Sequence, residues 1–250
     1  FTVVKVVVYV FGLGFLAETG ASDWVVYVGG LTVMMASLIA LTHDNLKKRL
    51  AFSTVSQLSY VVMAAAVATP AAILGATLHI AAHAVSKITL FFAAGSIYTA
   101  GHLTHVSQLD GVGRRMPITL TAFAVGSLAM IGVPPTVTFL SKWFMLEGQV
   151  GAEAWFAVCV IVLSTLLNAG YFLPIVYRAF WRQPPPATPE HPAHGEGPTP
   201  SVVALSLTAT GAVLLFLYPD LIYGLAAQVA ESAAASLPTE TANASVEGAQ

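Results

Sequence analysis

Three side chains with ionisable nitrogens, His79, His83 and Lys87, recur at four-residue spacing inside an otherwise apolar stretch, AAILGATLHIAAHAVSKITLFFAAGSIYTA (71–100). On an α-helix that spacing stacks them on one side, each about 6 Å further along the axis. A fourth, Lys142, lies in another apolar run, shortly after Pro134-Pro135-Thr136. Ionisable groups at bilayer depth are costly and usually face a bundle interior or a water-filled path. Imidazoles exchange protons near neutral pH, and a row of such groups bridged by hydroxyls or water is the chemistry of a proton relay. The preceding apolar segment offers bridging partners in Ser53, Thr54, Ser56, Gln57, Ser59 and Tyr60.

Other chemistry fits these residues less well. His79 and His83 have the spacing of a zinc or haem pair, but the chain reads His-Ile-Ala-Ala-His rather than HExxH. Nothing supplies a soft third ligand or an axial histidine on a facing span, so no metal and no cofactor is expected. The one cysteine, Cys159, forms no disulfide or metal framework. Glu147, five residues after Lys142, is read as an interfacial acid rather than a counter-charge. Lys5 is read as snorkelling to the surface, and His102 and His105 as solvated loop residues. A passive scaffold would fit the hydropathy, but it leaves the buried cations unexplained.

The elements that must position these groups are membrane spans. Hydrophobic residues make up 56% of the 250, charged residues only 9%, and mean hydropathy is +0.77. A soluble domain is about 25% charged. The chain starts at Phe1 within an apolar run and is read as the C-terminal part of a longer protein. Segment 1–16 is expected to be the end of a spanning helix. Spans are then expected over Trp24–Thr42, Leu50–Thr69 and Ala71–Ala100, the last long enough to require tilt or a break. In 117–151 tandem prolines remove backbone donors and disfavour helix before them, so one helix interrupted at mid-membrane is predicted. Such backbone is tolerated there only beside a cavity or packed in protein. A span over Glu153–Trp181, a Pro-rich linker over 182–200, a final span over 201–225 and a disordered tail over 226–250 complete the expectation. The fold class is therefore all-α, a polytopic transmembrane bundle with one discontinuous helix.

Charge tests this map. Of the ten Lys and Arg, Lys47, Lys48, Arg49, Arg114, Arg115, Arg178 and Arg182 fall in or beside loops, and only in every second connection. The positive-inside rule makes those connections cytoplasmic and the C-terminus external. The net charge of −2 offers nothing to nucleic acid.

Read together, HDNLKKRLAFSTVSQLSYVV, HIAAHAVSKITLFFAAGSIY, LDGVGRRMP and IGVPPTVTFLSKW resemble the proton-conducting antiporter-like family. That family comprises subunits of Mrp-type cation/proton antiporters and the antiporter-like pumping subunits of respiratory complex I. The wording is most similar to the Mrp-type Na⁺/H⁺ antiporter members, and the likeness runs from about residue 1 to 180. The resemblance implies fourteen spanning helices with two inverted five-helix repeats, each carrying a broken helix. This sequence then holds the end of the eighth helix, the whole second repeat and the fourteenth helix. His79, His83 and Lys87 match the histidines and lysine of the eleventh helix. Lys142 matches a lysine of the broken twelfth, where some members carry Glu, and Lys47 a basic position at the start of the tenth. The family's glutamate on the fifth helix and lysine of the broken seventh lie outside this sequence. Only the outward half of a pathway is therefore expected here.

The function expected is a proton-translocating subunit of a multisubunit monovalent cation/proton antiporter in a bacterial cytoplasmic membrane. His79, His83, Lys87 and Lys142 form the relay, supported by Lys47, Ser53, Ser56, Gln57, Pro134, Pro135 and Glu147. The alternative is a pumping subunit of complex I or a membrane hydrogenase. Either has other membrane subunits, H⁺, lipid and Na⁺ or K⁺ as partners, and no redox chemistry of its own.

Overall fold

The computed structural model describes residues 1–183 and 195–237. Among these, every regular element is helical apart from one isolated bridge, Asn45 to His105. The order is α1 (Thr2–Lys5), continuing as a π-helix over Val6–Phe11, then α2 (Leu13–Thr19), α3 (Asp23–Thr42), α4 (Leu46–Ala66) and α5 (Pro70–Gly101). After two short 3₁₀ turns follow α6 (Pro117–Ile131), α7 (Val137–Gly151), α8 (Trp155–Trp181), α9 (Thr199–Leu217) and α10 (Asp220–Ala234).

Helices α3, α5, α8 and α9 are long and apolar enough to span a membrane. Helix α4 has the length, 21 residues, but is more polar, because Ser53, Ser56 and Gln57 are turned into the bundle. Large side chains such as Leu31, Leu166 and Leu207 point outward, and Trp24, Trp155 and Trp181 stand exposed at helix ends, as at membrane interfaces. Small residues, among them Ala72, Ala76, Ala82, Ala93 and Ser86 of α5, are buried where helices meet.

Local signals start and stop the helices. Asn45 caps α4 by accepting from Lys48 N–H at 3.0 Å. Thr69 caps α5, with Pro70 in the first turn. The Glu196 carboxylate accepts from Ile118 N–H (2.6 Å) and the Thr119 hydroxyl (2.6 Å) at the start of α6, where a negative charge complements the helix dipole. The predicted interruption lies at 132–136: α6 stops at Gly132, with φ +86°, and Thr136 opens α7. Helix α5 runs unbroken for 32 residues, about 48 Å, so of the two expected accommodations only tilt remains.

The two ends of the bundle differ in charge. At one, Asp44 accepts from Ser107 N–H (3.0 Å) and hydroxyl (2.6 Å), Gly111 N–H donates to Arg178 O at 3.0 Å, and Asp110 pairs with Arg178 and Arg182, each at 3.4 Å. The Ser107 contacts hold the Asp44 carboxyl below the usual carboxylate range. The basic connections 43–49, 101–116 and 178–182 thus meet. At the other end Asp23, Val67 and Glu153 line a common cavity of about 470 Å³. The interrupted helix runs from the first end to the second, crossing once.

Two expectations change and one gains detail. Within the 1–16 segment, expected to end a spanning helix, the chain bends by 82° at Gly12, whose φ of +76° suits a residue without Cβ. The final span ends at Leu217 rather than 225, since Pro219 cannot continue the amide ladder. The 226–250 tail is helical to Ala234: alanine favours helix, and Ala226 and Ala230 pack with Leu74 and Leu78 of α5. Past that helix, Ser236 Oγ accepts from Leu13 N–H at 2.8 Å. Most of the expected Pro-rich linker, at 184–194, and the end of the tail, at 238–250, lie outside the described residues.

Helices α5 and α7 lie antiparallel at very short range. A Cβ on Gly75 would come 2.4 Å from Met145 N, and one on Gly148 2.3 Å from Ala72 N. Gly148→Ala or Gly75→Ala should therefore cost about 1–3 kcal/mol by overpacking. The check is a lowered unfolding midpoint in detergent. Gly95→Ala, where a Cβ meets nothing within 4 Å, should leave that midpoint unchanged or raised.

Candidate functional site

Helix α5 carries His79, His83 and Lys87 on its inner face, and all three are buried. Helix α7 faces them from one side, drawn in by Gly75 and Gly148, and α4 from another. His79 is held between the two helices: Nδ1 lies 2.9 Å from Ser141 Oγ, and Nε2 lies 3.1 Å from Gln57 Oε1.

The groups around the ring can serve two protonation states. A neutral ring donates from Nε2 to Gln57 Oε1 and accepts at Nδ1 from the Ser141 hydroxyl. A doubly protonated ring donates at both nitrogens, and the single Ser141 proton then goes to Thr138 O at 2.9 Å. A turn of one hydroxyl therefore lets the same neighbours hold either state of the imidazole.

The His79 and His83 rings stack one turn apart, with centroids 6.0 Å apart and planes 18° from parallel. His83 Nδ1 is buried and meets no protein partner. One turn further, Lys87 Nζ donates to Ser53 Oγ of α4.

Lys142 reaches back from α7 to the end of α6. Its Nζ donates to Ile131 O (2.9 Å), Met130 O (3.4 Å) and Thr165 Oγ1 of α8 (3.3 Å). The last carbonyls of a helix have no partner within it and carry its negative dipole end. The interruption thus makes a cation site from backbone alone. Gly132 keeps it open: a Cβ there would sit 2.9 Å from Lys142 Cδ. The Tyr60 ring centroid lies 5.2 Å from Nζ and 5.9 Å from that of the His79 ring. Among the described residues, no carboxylate pairs with Lys87 or Lys142.

The supporting residues divide. Ser53 and Gln57 touch the basic groups. Ser56 turns to α3, with its Oγ 2.8 Å from Ser37 Oγ. Pro134 and Pro135 shape the interruption from its exposed side and Glu147 is exposed, in keeping with an interfacial acid. Lys47 is not part of the cluster: it is exposed, with Nζ 4.7 Å from the Tyr98 ring. The inward cation of that basic run is Arg49, buried and donating to His43 O (2.8 Å) and Tyr171 O (3.0 Å). Sequence reasoning placed Arg49 in a loop. It also missed Ser141 and the α8 row Ser164, Thr165, Asn168 and Tyr171, whose helical spacing was the available signal.

Gly132→Ala should cost about 1–3 kcal/mol in backbone strain and crowding, read as a lowered unfolding midpoint. Adding Lys142→Ala should restore part of the loss by removing the crowded side chain. No recovery would place the whole effect in the backbone.

Comparison with known proteins gives the site its context. The family described as NADH:quinone oxidoreductase/Mrp antiporter, TM, matches residues 1–168. NADH-quinone oxidoreductase subunit N of Desulforudis audaxviator is 38% identical over 168 residues, covering 67% of this chain and 33% of that protein. F(420)H(2) dehydrogenase subunit N of Methanosarcina mazei is 27% identical over 209 residues, covering 80% and 42%. The chain thus spans a third to under half the length of these relatives. Its fold is that of a chain in the Mrp complex from Dietzia sp., with TM-score 0.80, 20% identity, and 92% of this chain and 50% of that one covered. A chain of respiratory complex I from Thermus thermophilus gives TM-score 0.73 at 21% identity, with 88% and 46% covered. With buried basic side chains ranged along a bundle that contains an interrupted helix, and with that match over residues 1–168, the chain belongs to the NADH:quinone oxidoreductase/Mrp antiporter transmembrane family.

Proposed function

We propose that this chain is a proton-translocating part of a multisubunit monovalent cation/proton antiporter, with His79, His83, Lys87 and Lys142 passing protons between them. One observation carries the reading. Four basic side chains are buried together, and among the described residues the partners of His79, Lys87 and Lys142 are carbonyls, hydroxyls and one amide oxygen, with no carboxylate among them. A carboxylate would pin a proton on its partner, whereas neutral dipoles tolerate both charge states. Neighbouring cations also repel, strongly so away from bulk water. A proton arriving at one group therefore helps to expel that on the next, and the groups titrate as a set.

A second reading is a pumping subunit of complex I or a membrane hydrogenase, in which remote redox chemistry drives the same residues. The 38% identity to an NADH-quinone oxidoreductase subunit favours it. Under either reading the partners are further membrane subunits, H⁺ and lipid; the antiporter adds Na⁺ or K⁺. The membrane is the bacterial cytoplasmic one, with the basic end inward and the C-terminus outside, a reading supported by the convergence of the basic connections at one end of the bundle.

In the intact complex reconstituted in vesicles, Lys87→Ala and Lys142→Ala should each cut proton flux at least tenfold while assembly is unchanged. Normal flux in both would reject the relay. Flux driven by a Na⁺ or K⁺ gradient alone identifies the antiporter; flux that requires an electron donor identifies the second reading. Orientation is tested in a Cys159→Ala background. A membrane-impermeant thiol reagent should label Arg114→Cys only from the cytoplasmic side and Ala152→Cys only from outside, and the reverse pattern would overturn the assignment.

A further inference from the structure

Gln149 of α7 stands apart from the relay. It has no exposure, and neither the nitrogen nor the oxygen of its amide meets a protein partner. A buried amide left unpaired is destabilising and calls for water. Gln149 follows Lys142 by seven residues, two turns of helix, about 10 Å along the axis and about 20° around it. Both side chains therefore stand on one face of α7, with Gln149 nearer the end of the bundle that carries Asp23 and Glu153.

The neighbours of Lys142 set the level of Gln149 on the facing helices. Lys142 meets Tyr60 of α4 and Thr165 of α8. Helix α4 runs in the direction of α7 and α8 runs against it. Two turns further on, α4 has therefore reached Val67, and α8 has come to Val158, next to Ala157. Val67 and Ala157 line the cavity of about 470 Å³ that Asp23 and Glu153 share. Ala154, also in its wall, donates its N–H to Gln149 O at 2.9 Å. Gln149 thus stands just behind the cavity wall. At the levels between it and Lys142 the buried residues are apolar: Ala64, Met145 and Ile161. Beyond the hydrogen-bonded pair of Tyr60 and Ser164, Gln149 is, among the described residues of this part of the bundle, the one fully buried polar side chain.

We propose that Gln149 seats the water through which protons pass between Lys142 and this cavity. The proposal rests on the reading of Lys142 as a proton carrier. The amide offers two N–H donors and a carbonyl oxygen, enough to hold one water toward Lys142 and another toward the cavity. Protons then move by exchange. The Lys142 ammonium gives a proton to the nearest water, each water hands on one of its own, and one proton emerges beside the Asp23 and Glu153 carboxylates. The amide keeps the water in line and neither gains nor loses a proton, so Gln149 is a positioning residue. Met145 and Ile161 lie at the level between it and Lys142, and the water reaches Lys142 when these two side chains part.

The test uses the intact complex in vesicles. Gln149→Leu keeps the bulk and removes the amide. It should lower proton flux at least tenfold while the unfolding midpoint of the complex is unchanged or raised, because an unpaired polar group has been taken out of the interior. Gln149→Asn, which keeps an amide, should retain at least a third of the flux. In a Cys159→Ala background, Gln149→Cys should react with a small membrane-impermeant thiol reagent added from the side that labels Ala152→Cys, and the reaction should block flux. Wild-type flux in Gln149→Leu, with Lys142→Ala inactive, would overturn the outlet and leave the relay standing. Lost flux with a lowered midpoint would assign Gln149 to packing and overturn it too. A Gln149→Cys thiol that the reagent never reaches would do the same, and this labelling decides the matter if Gln149→Leu fails to assemble. If Lys87→Ala and Lys142→Ala conduct normally, both readings fall together.

Discussion

Basic side chains buried with no anion beside them, among the described residues, are the constraint that the rest of this structure answers. An isolated ammonium taken out of water costs many kcal/mol unless dipoles replace its hydration. A carboxylate is the usual remedy, but it leaves a pair that holds its proton firmly and is costly to break. Here the remedy is neutral. Lys142 lies on the carbonyls of Met130 and Ile131, and Lys87 on a serine hydroxyl. His79 lies between a serine and a carboxamide.

Much of the architecture follows from that choice. Carbonyls are free to receive Lys142 only because α6 stops at Gly132, inside the bundle. Ser141 reaches His79 only because α5 and α7 approach closely at Gly75 and Gly148, where the facing backbone leaves no room for a Cβ. Helix α4 forgoes a fully apolar composition so that Ser53, Gln57 and Tyr60 can face inward. These are costs in packing and hydropathy, and each is met at the place where a basic nitrogen must be solvated.

The legible part of this design was the part written in charge and periodicity. His79, His83 and Lys87 repeat at helical spacing in apolar sequence, and tandem prolines beside Lys142 announce an interrupted helix. Uncharged polarity was harder to read. Ser164, Thr165, Asn168 and Tyr171 hardly lower the hydropathy of α8, so their shared face is clear only once α4 is seen opposite it. Lys47 and Arg49 stand about 200° apart around a helix, and without knowing which side faced the bundle the inward one could not be chosen. Gly75 and Gly148 meet partners some seventy residues away, a closeness no local pattern encodes. Helix α10 reads as a loose alanine-rich tail until Leu74 and Leu78 give its small face something to cover.

Membership of the family accounts for the bundle and its broken helix, but similarity near 20% identity to solved structures speaks for the fold alone. The case for proton carriage stands on the continuity of the polar interior. The weakest link is His83, whose Nδ1 is buried without a protein partner between His79 and Lys87. A buried nitrogen of that kind calls for a water molecule. A cryo-EM map of the intact complex, sharp enough to place ordered water, tests this most directly. The account predicts water hydrogen-bonded to His83 Nδ1 and continuing toward a lysine. Dry aliphatic packing around that nitrogen, with no polar bridge on either side, would contradict it.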